Sequence, residues 1–177
     1  MTLRLFPIIP ALATLAGACT LSIEANLPEV EVTQRGVKMQ GVPKANLVGD
    51  VSVTSSFTLS SSNTAWAKRM NSEVFLHQVT VAASGGLPNL DFVKVARLTM
   101  SDPTASEEST EIVSYGRGEN APSSSVIEVS TPEPIDITQV WSADNTVIEL
   151  QMAGRVPEQS WTVDVTLKLA GKITYKF

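Results

Sequence analysis

Trp161-Thr162-Val163-Asp164-Val165-Thr166-Leu167-Lys168-Leu169-Ala170-Gly171-Lys172-Ile173-Thr174-Tyr175-Lys176-Phe177 is the stretch that decides the fold class. Its odd positions are apolar apart from Gly171, and its even positions are polar apart from Ala170. Side chains alternate between the two faces of a strand, so a period of two over this length reads as a strand with one face buried. The run exceeds a typical strand of about 5–6 residues, which predicts a bend or bulge near Ala170-Gly171. Trp161 opens the apolar face and is expected in the core.

The same period recurs upstream. Val51, Val53, Ser55, Phe57 and Leu59 alternate with Ser52, Thr54, Ser56, Thr58 and Ser60. Leu90, Phe92, Ala96, Leu98 and Met100 share a parity that Lys94 interrupts. Residues 73–83 are almost continuously apolar, the pattern of a strand covered on both faces. Val147–Ala153 reads as another strand, and Glu29–Thr33, Glu111–Tyr115 and Ser125–Ser130 as weaker ones. Turn signals separate them: Gly85-Gly86-Leu87-Pro88-Asn89, Ser101-Asp102-Pro103, Gly116-Arg117-Gly118-Glu119-Asn120 and Thr131-Pro132-Glu133-Pro134. Asp144-Asn145 likewise introduces a strand. Residues 64–71 suit one short helical turn. There is no repeat at the 20–50-residue periods of solenoids or propellers.

About eight short strands with this punctuation predict an all-β sandwich. The spacing resembles immunoglobulin-like domains at the level of pattern alone, for the Cys pair and the buried strand Trp of antibody domains are absent. The resemblance implies an immunoglobulin-like β-sandwich. An eight-stranded outer-membrane barrel is the competing architecture, with residues 161–177 as its closing strand. Against it, aromatic residues are 6% of the chain, few for two interfacial girdles.

Composition narrows the function. The 177 residues carry 13 Lys and Arg, 18 Asp and Glu, one His and one Cys, for a formal charge of −5. A single Cys permits no internal disulfide and no thiolate metal cluster. A single His permits no His-pair metal site. The acidic balance disfavours nucleic acid, because phosphate binding needs a basic face. No apolar run approaches the roughly 20 residues of a membrane-spanning helix.

The N-terminus reads as an address. Residues 1–18 carry one charge, Arg4, followed by apolar and small residues up to Ala18. This fits a secretory signal peptide, and Pro7 and Pro10 disfavour a stable core helix there. Leu15-Ala16-Gly17-Ala18-Cys19 resembles the lipobox of bacterial lipoproteins, with Leu one position ahead of its favoured place. The resemblance implies cleavage before Cys19, a diacylglyceryl group on its sulfur and acylation of the new amino terminus. The chain's only Cys stands where that chemistry requires one. In the sorting pattern of enteric lipoproteins, Asp after the Cys retains the protein in the inner membrane. Thr20 therefore implies the outer membrane. The expected organisation is a signal peptide over 1–18, a lipidated Cys and tether over 19–28, and a β-sandwich over 29–177.

Catalytic signatures are sparse. His77, in Val74-Phe75-Leu76-His77-Gln78-Val79, is the one candidate general base, and is expected as a half-buried strand residue with one hydrogen-bonded nitrogen. There is no Gly-x-Ser-x-Gly nucleophile elbow. Gly116-Arg117-Gly118 lacks the remainder of a phosphate loop and is expected as a solvated turn. Asp102, Glu107, Glu108 and Glu111 lack calcium-loop spacing and are expected as a surface loop, as are Glu133 and Asp136. Trp66 and Trp141 lie in irregular segments, where an exposed indole would stack on a sugar ring or pack into a partner, and where each is more readily expected to cover an end of the sandwich. The expectation is a non-catalytic lipoprotein with no metal and no cofactor, whose sandwich serves envelope structure or binding. Its partners are the membrane, through the N-terminal lipid, and an envelope protein or glycan, with no nucleic acid. A carbohydrate-binding module and a small barrel are the alternatives.

Overall fold

The computed structural model describes residues 22–44, 49–60, 72–102, 109–141 and 145–176. Its strands are β1 (Ser22–Met39), β2 (Val51–Ser60), β3 (Ser72–Gly85), β4 (Val93–Ser101), β5 (Thr110–Gly116), β6 (Val126–Asp136), β7 (Asn145–Gly154) and β8 (Trp161–Lys176). One helical turn, α1 (Thr138–Trp141), precedes β7. The strands form two antiparallel four-stranded sheets, ordered β1-β8-β3-β6 and β2-β7-β4-β5. The expected all-β sandwich of eight strands is therefore present. The strands do not close into one cylinder, which sets the barrel architecture aside. The strand read as its closing strand, β8, lies inside a sheet between β1 and β3.

The strand order departs from an immunoglobulin arrangement. Of consecutive strands, only β4 and β5 are neighbours in one sheet; every other connection crosses to the opposite sheet. That wrapped order is a jelly roll of two interleaved Greek keys. Alternation in sequence tells which face a residue occupies. It does not tell which strand lies alongside, and the two architectures differ in that alone.

β8 supplies the floor of the core. Val163, Val165, Leu167 and Leu169 are fully buried, with Trp161 and Ile173 nearly so. Ile148, Leu150 and Met152 of β7 and Leu98 and Met100 of β4 belong to the same core from the other sheet. Trp161 stands edge-on to Phe92, with ring centroids 5.4 Å apart. The irregularity expected near Ala170-Gly171 falls on the neighbours of β8. Opposite Leu169 to Gly171, β1 inserts an extra residue between Leu27 and Val30, and one step away, opposite Lys168-Leu169, β3 inserts His77 between Leu76 and Gln78. A second insertion in β1 lies between Gln34 and Val37. There Gly36 takes φ 65°, and its N–H donates to Asp164 Oδ1 at 2.8 Å, a turn that a Cβ would strain.

Those insertions correct two expectations. β3 is not covered on both faces: Val74, Leu76, Val79 and Val81 are buried, and the residues between them are half-exposed. The inward set switches from even to odd at His77, which is why the sequence reads as one apolar run. β4 switches at Lys94, where register on β7 shifts between Val93 and Val95. Val93 and Ala96 thus both face inward, and Lys94 turns out to meet Asp50 at 2.8 Å. A third correction concerns the tether. Residues 22–28 belong to β1 and pair with the end of β8, Ser22 opposite Lys176 and Leu27 opposite Gly171. This segment is held through its backbone and buries little, so the pattern of apolar residues gave no sign of it.

Candidate functional site

The two open sides of the sandwich lie where β1 passes β2 and where β5 passes β6. On the second, the sheets part into an open groove of about 570 Å³. Ile112 and Val113 of β5 and Val129 and Ile135 of β6 give it an apolar floor, rimmed by Ser114, Ser130, Thr131 and Glu133. A smaller recess of about 230 Å³ shares Ile112 and runs under α1, past Asp136 and Ile137. The larger groove owes its shape to β6. Four residues, Thr131-Pro132-Glu133-Pro134, intervene between Ser130, opposite Gln78, and Ile135, opposite Leu76. Proline removes a ladder donor, so the pair of prolines keeps this stretch off the regular ladder. Thr131 Oγ1 ties it back by donating to the carbonyl of His77 at 3.0 Å. Apolar floor, hydroxyl rim and a single carboxylate suit binding of a mostly apolar, extended ligand.

α1 closes one end of the core. Asp136 Oδ1 accepts the backbone N–H of Thr138 at 2.9 Å, an Asx cap that starts the turn. Thr138 Oγ1 also donates to that carboxylate and accepts the N–H of Val74 at 2.9 Å, so the cap is locked to β3. Asp136 is therefore a capping residue, not part of a free surface loop. The motif was present in sequence as an Asp two residues ahead of a Thr, in a segment that reads as loop.

Trp141 ends this turn and is fully buried. An indole inside the sandwich offers no face to a sugar ring, which removes Trp141 from the ligand-contact candidates. Trp66 and Cys19 lie outside the described residues, as does the helical turn expected over 64–71.

Arg117 is not the solvated turn residue expected. Its side chain is 12% exposed, and Nη2 donates to Asp91 Oδ1 at 2.9 Å and to the carbonyl of Pro122 at 2.7 Å. Asp91 also accepts the hydroxyl of Ser123 and the N–H of Ser124. Those two donors, and then the Arg117 guanidinium, hold the Asp91 carboxyl below its ordinary range. Backbone bonds finish the clasp: Leu90 N–H to Ser124 carbonyl and Arg117 N–H to Lys94 carbonyl, each 2.8 Å. The β3–β4 and β5–β6 connections are thus fastened to each other.

His77 lies on the outer face of the β1-β8-β3-β6 sheet with Nδ1 3.6 Å from Glu29 Oε1. Glu29 is engaged more closely by Lys168, at 2.7 Å. That ammonium lowers the Glu29 carboxyl and is itself raised. Lys172 and Glu24 repeat the arrangement at 2.8 Å, with Lys172 raised by its partner. His77 is thus a partly exposed strand residue whose ring faces a carboxylate. Glu111, from the acidic segment, faces Arg97 at 3.7 Å. Among the described residues, no three metal-ligating side chains cluster.

No family model and no curated protein matches this chain. Solved structures to which it is similar include a decameric BFDV capsid protein, at 9% identity and a TM-score of 0.37, with 86% of this chain and 99% of that chain covered. A 60-mer of BFDV capsid protein matches at 7% identity and a TM-score of 0.33, over 87% of this chain and 94% of that chain.

Proposed function

We propose that this chain is an exported envelope lipoprotein, held to the outer membrane by acyl chains on Cys19, whose β-sandwich serves structure or binding and not catalysis. The observation that carries the reading is the placement of the sole Cys directly after a nearly uncharged, apolar lead ending Leu15-Ala16-Gly17-Ala18. A thiol left free in an exported protein is open to oxidation, whereas an acylated one is an anchor. One acyl chain binds a bilayer marginally, at about 0.8 kcal/mol per methylene, and two or three on one residue hold durably. The described part of β1 begins at Ser22, so at most two residues separate the anchor from the sandwich. At about 3.5 Å per residue, such a link keeps the domain against the bilayer surface. The groove between β5 and β6 is the surface this reading assigns to an envelope partner.

The test is the intact mass of the protein extracted from membranes, beside a Cys19→Ala variant. A mass for residues 19–177 plus acyl chains, lost in the variant together with membrane association, is the expected result. An unacylated chain starting near Cys19 would overturn the reading.

A further inference from the structure

The sandwich has four edge strands, and three of them are guarded. β1 carries two bulges, Pro28, and the carboxylates Glu24, Glu29 and Glu31. β6 carries Pro132, Pro134, Glu133 and a looped-out register. β5 is seven residues long, carries Glu111 and is bulged against β4. Prolines, bulges, charges and shortness are the means by which natural sheets prevent their edges from pairing with another chain.

β2 has none of them. Val51-Ser52-Val53-Thr54-Ser55-Ser56-Phe57-Thr58-Leu59-Ser60 contains no charge, no proline and no glycine. It pairs with β7 residue for residue, from Val51 opposite Gly154 to Ser60 opposite Asn145, without a register shift. It ends its sheet, and among the described residues no strand pairs with its outer side. Ser52, Thr54, Ser56 and Thr58 are exposed. The outer side therefore presents a row of backbone donors and acceptors, in unbroken register, with no strand partner among the described residues.

We infer that β2 pairs antiparallel with β2 of a second copy of this chain, joining two four-stranded sheets into one of eight strands. Charge selects this occupant. In a two-fold contact the same edge lies on both sides, with residue i against j and j against i, so a net-acidic edge is set against a net-acidic edge; β1, β5 and β6 each carry more carboxylates than cations, and the chain as a whole carries −5. β2 alone among the four edges brings no charge to that meeting. Its chemistry is also self-complementary. When the two core faces lie on the same side, odd residues meet odd and even meet even. The exposed Ser and Thr hydroxyls then face one another, and such cross-strand pairs hydrogen-bond. A ten-residue strand pair is a small interface by itself, so a weak, reversible contact is expected and the concentrations to search span about 1–100 µM.

The experiment is sedimentation velocity of the full chain in density-matched detergent across that range, beside the double variant Thr54→Lys/Ser56→Lys and the control Ser130→Lys on β6. A reversible dimer is expected for the wild type and the control. The double variant is expected to weaken it by about tenfold or more, because like charges then lie opposite each other, with its circular dichroism unchanged. A wild type that stays monomeric overturns the inference. So does a dimer that survives the two lysines, or one that Ser130→Lys weakens as much. If the lysines unfold the domain, amide hydrogen exchange of the wild type decides. Protection over 51–60 that rises with protein concentration supports the pairing; protection independent of concentration overturns it.

Discussion

β8 and β3 lie side by side in one sheet and bury the same kinds of residue, yet their sequences read differently. β8 keeps one phase from Trp161 to Ile173, so each inward residue is two from the last. β3 buries Val74 and Leu76, admits His77 as an extra residue, and resumes with Val79 and Val81. The difference shows that an unbroken apolar run need not be a strand covered on both sides. A half-covered strand that slips its phase once gives the same string.

The sharpest test of that contrast is a pair of deletions. Removing Thr166 from β8 throws half of its inward residues onto solvent, and the expected result is loss of the folded state by circular dichroism. Removing His77 restores strict alternation in β3, placing Gln78 outward and Val79 inward in step with Leu76. The expected result is a folded protein, at the loss of the Thr131 bond to the His77 carbonyl and the contact with Glu29. Equal damage from the two deletions would break the comparison.

Substitutions read the same contrast at smaller amplitude. Leu167→Ala opens a cavity in a fully buried site and is expected to cost about 2–5 kcal/mol in urea denaturation. Thr166→Ala, one residue away on the outer face, gives up the hydroxyl pair with Thr33 at 2.9 Å and is expected to cost about 1 kcal/mol or less. A comparable loss at both positions would mean that the outer face is covered after all.

These elements also mark how far the sequence could be read. Alternation placed β8, β2 and the inward residues of β7, because burial of one face leaves a period-two record. Bulges at His77 and Lys94 erased that record locally. The segment 22–28 left none, since β1 begins as an edge whose side chains stay in water and whose ladder is backbone. The jelly-roll order was invisible for a different reason: neighbours in a sheet are set by contacts between segments far apart in sequence. Of the site residues, Trp141 had two readings, because an irregular segment can cap a core as readily as it can expose an indole, and its burial selects the cap. Arg117 and Asp91, 26 positions apart, carried no local sign of their clasp.

The clasp is the polar counterpart of β8, an irregular region held by directed bonds where β8 is held by burial. Arg117→Ala is expected to lower the melting temperature by several degrees, because it leaves the Pro122 carbonyl and the Asp91 carboxylate short of a donor. The pH dependence carries a definite sign. A carboxyl whose folded pKa is lowered stabilises the fold above its unfolded pKa, and that contribution fades as pH falls through the folded value. Acid unfolding of Asp91→Asn should therefore lose part of the slope seen in the wild type. Identical acid titrations would show that the clasp adds nothing to stability.

The smallest effect is expected on the outer face of the same two strands. Lys168 extends from regular β8 and reaches Glu29 of β1 at 2.7 Å, while His77, from the bulge in β3, stands 3.6 Å from the other oxygen of that carboxylate. The regular strand thus supplies the nearer partner. Glu29 is lowered, so its contribution is lost as pH falls through that lowered value. Lys168 is raised, so its contribution is complete below the ordinary ammonium range and is lost as pH rises through the raised value. Both groups are solvent-exposed, and salt screens such pairs. Lys168→Gln is therefore expected to shift stability slightly at low ionic strength and not at about 1 M salt, where the Debye length falls to about 3 Å. A shift that persisted in salt would mean that the Lys168 stem, packed along β1, contributes through burial, and the outer face would then belong with the core in the comparison.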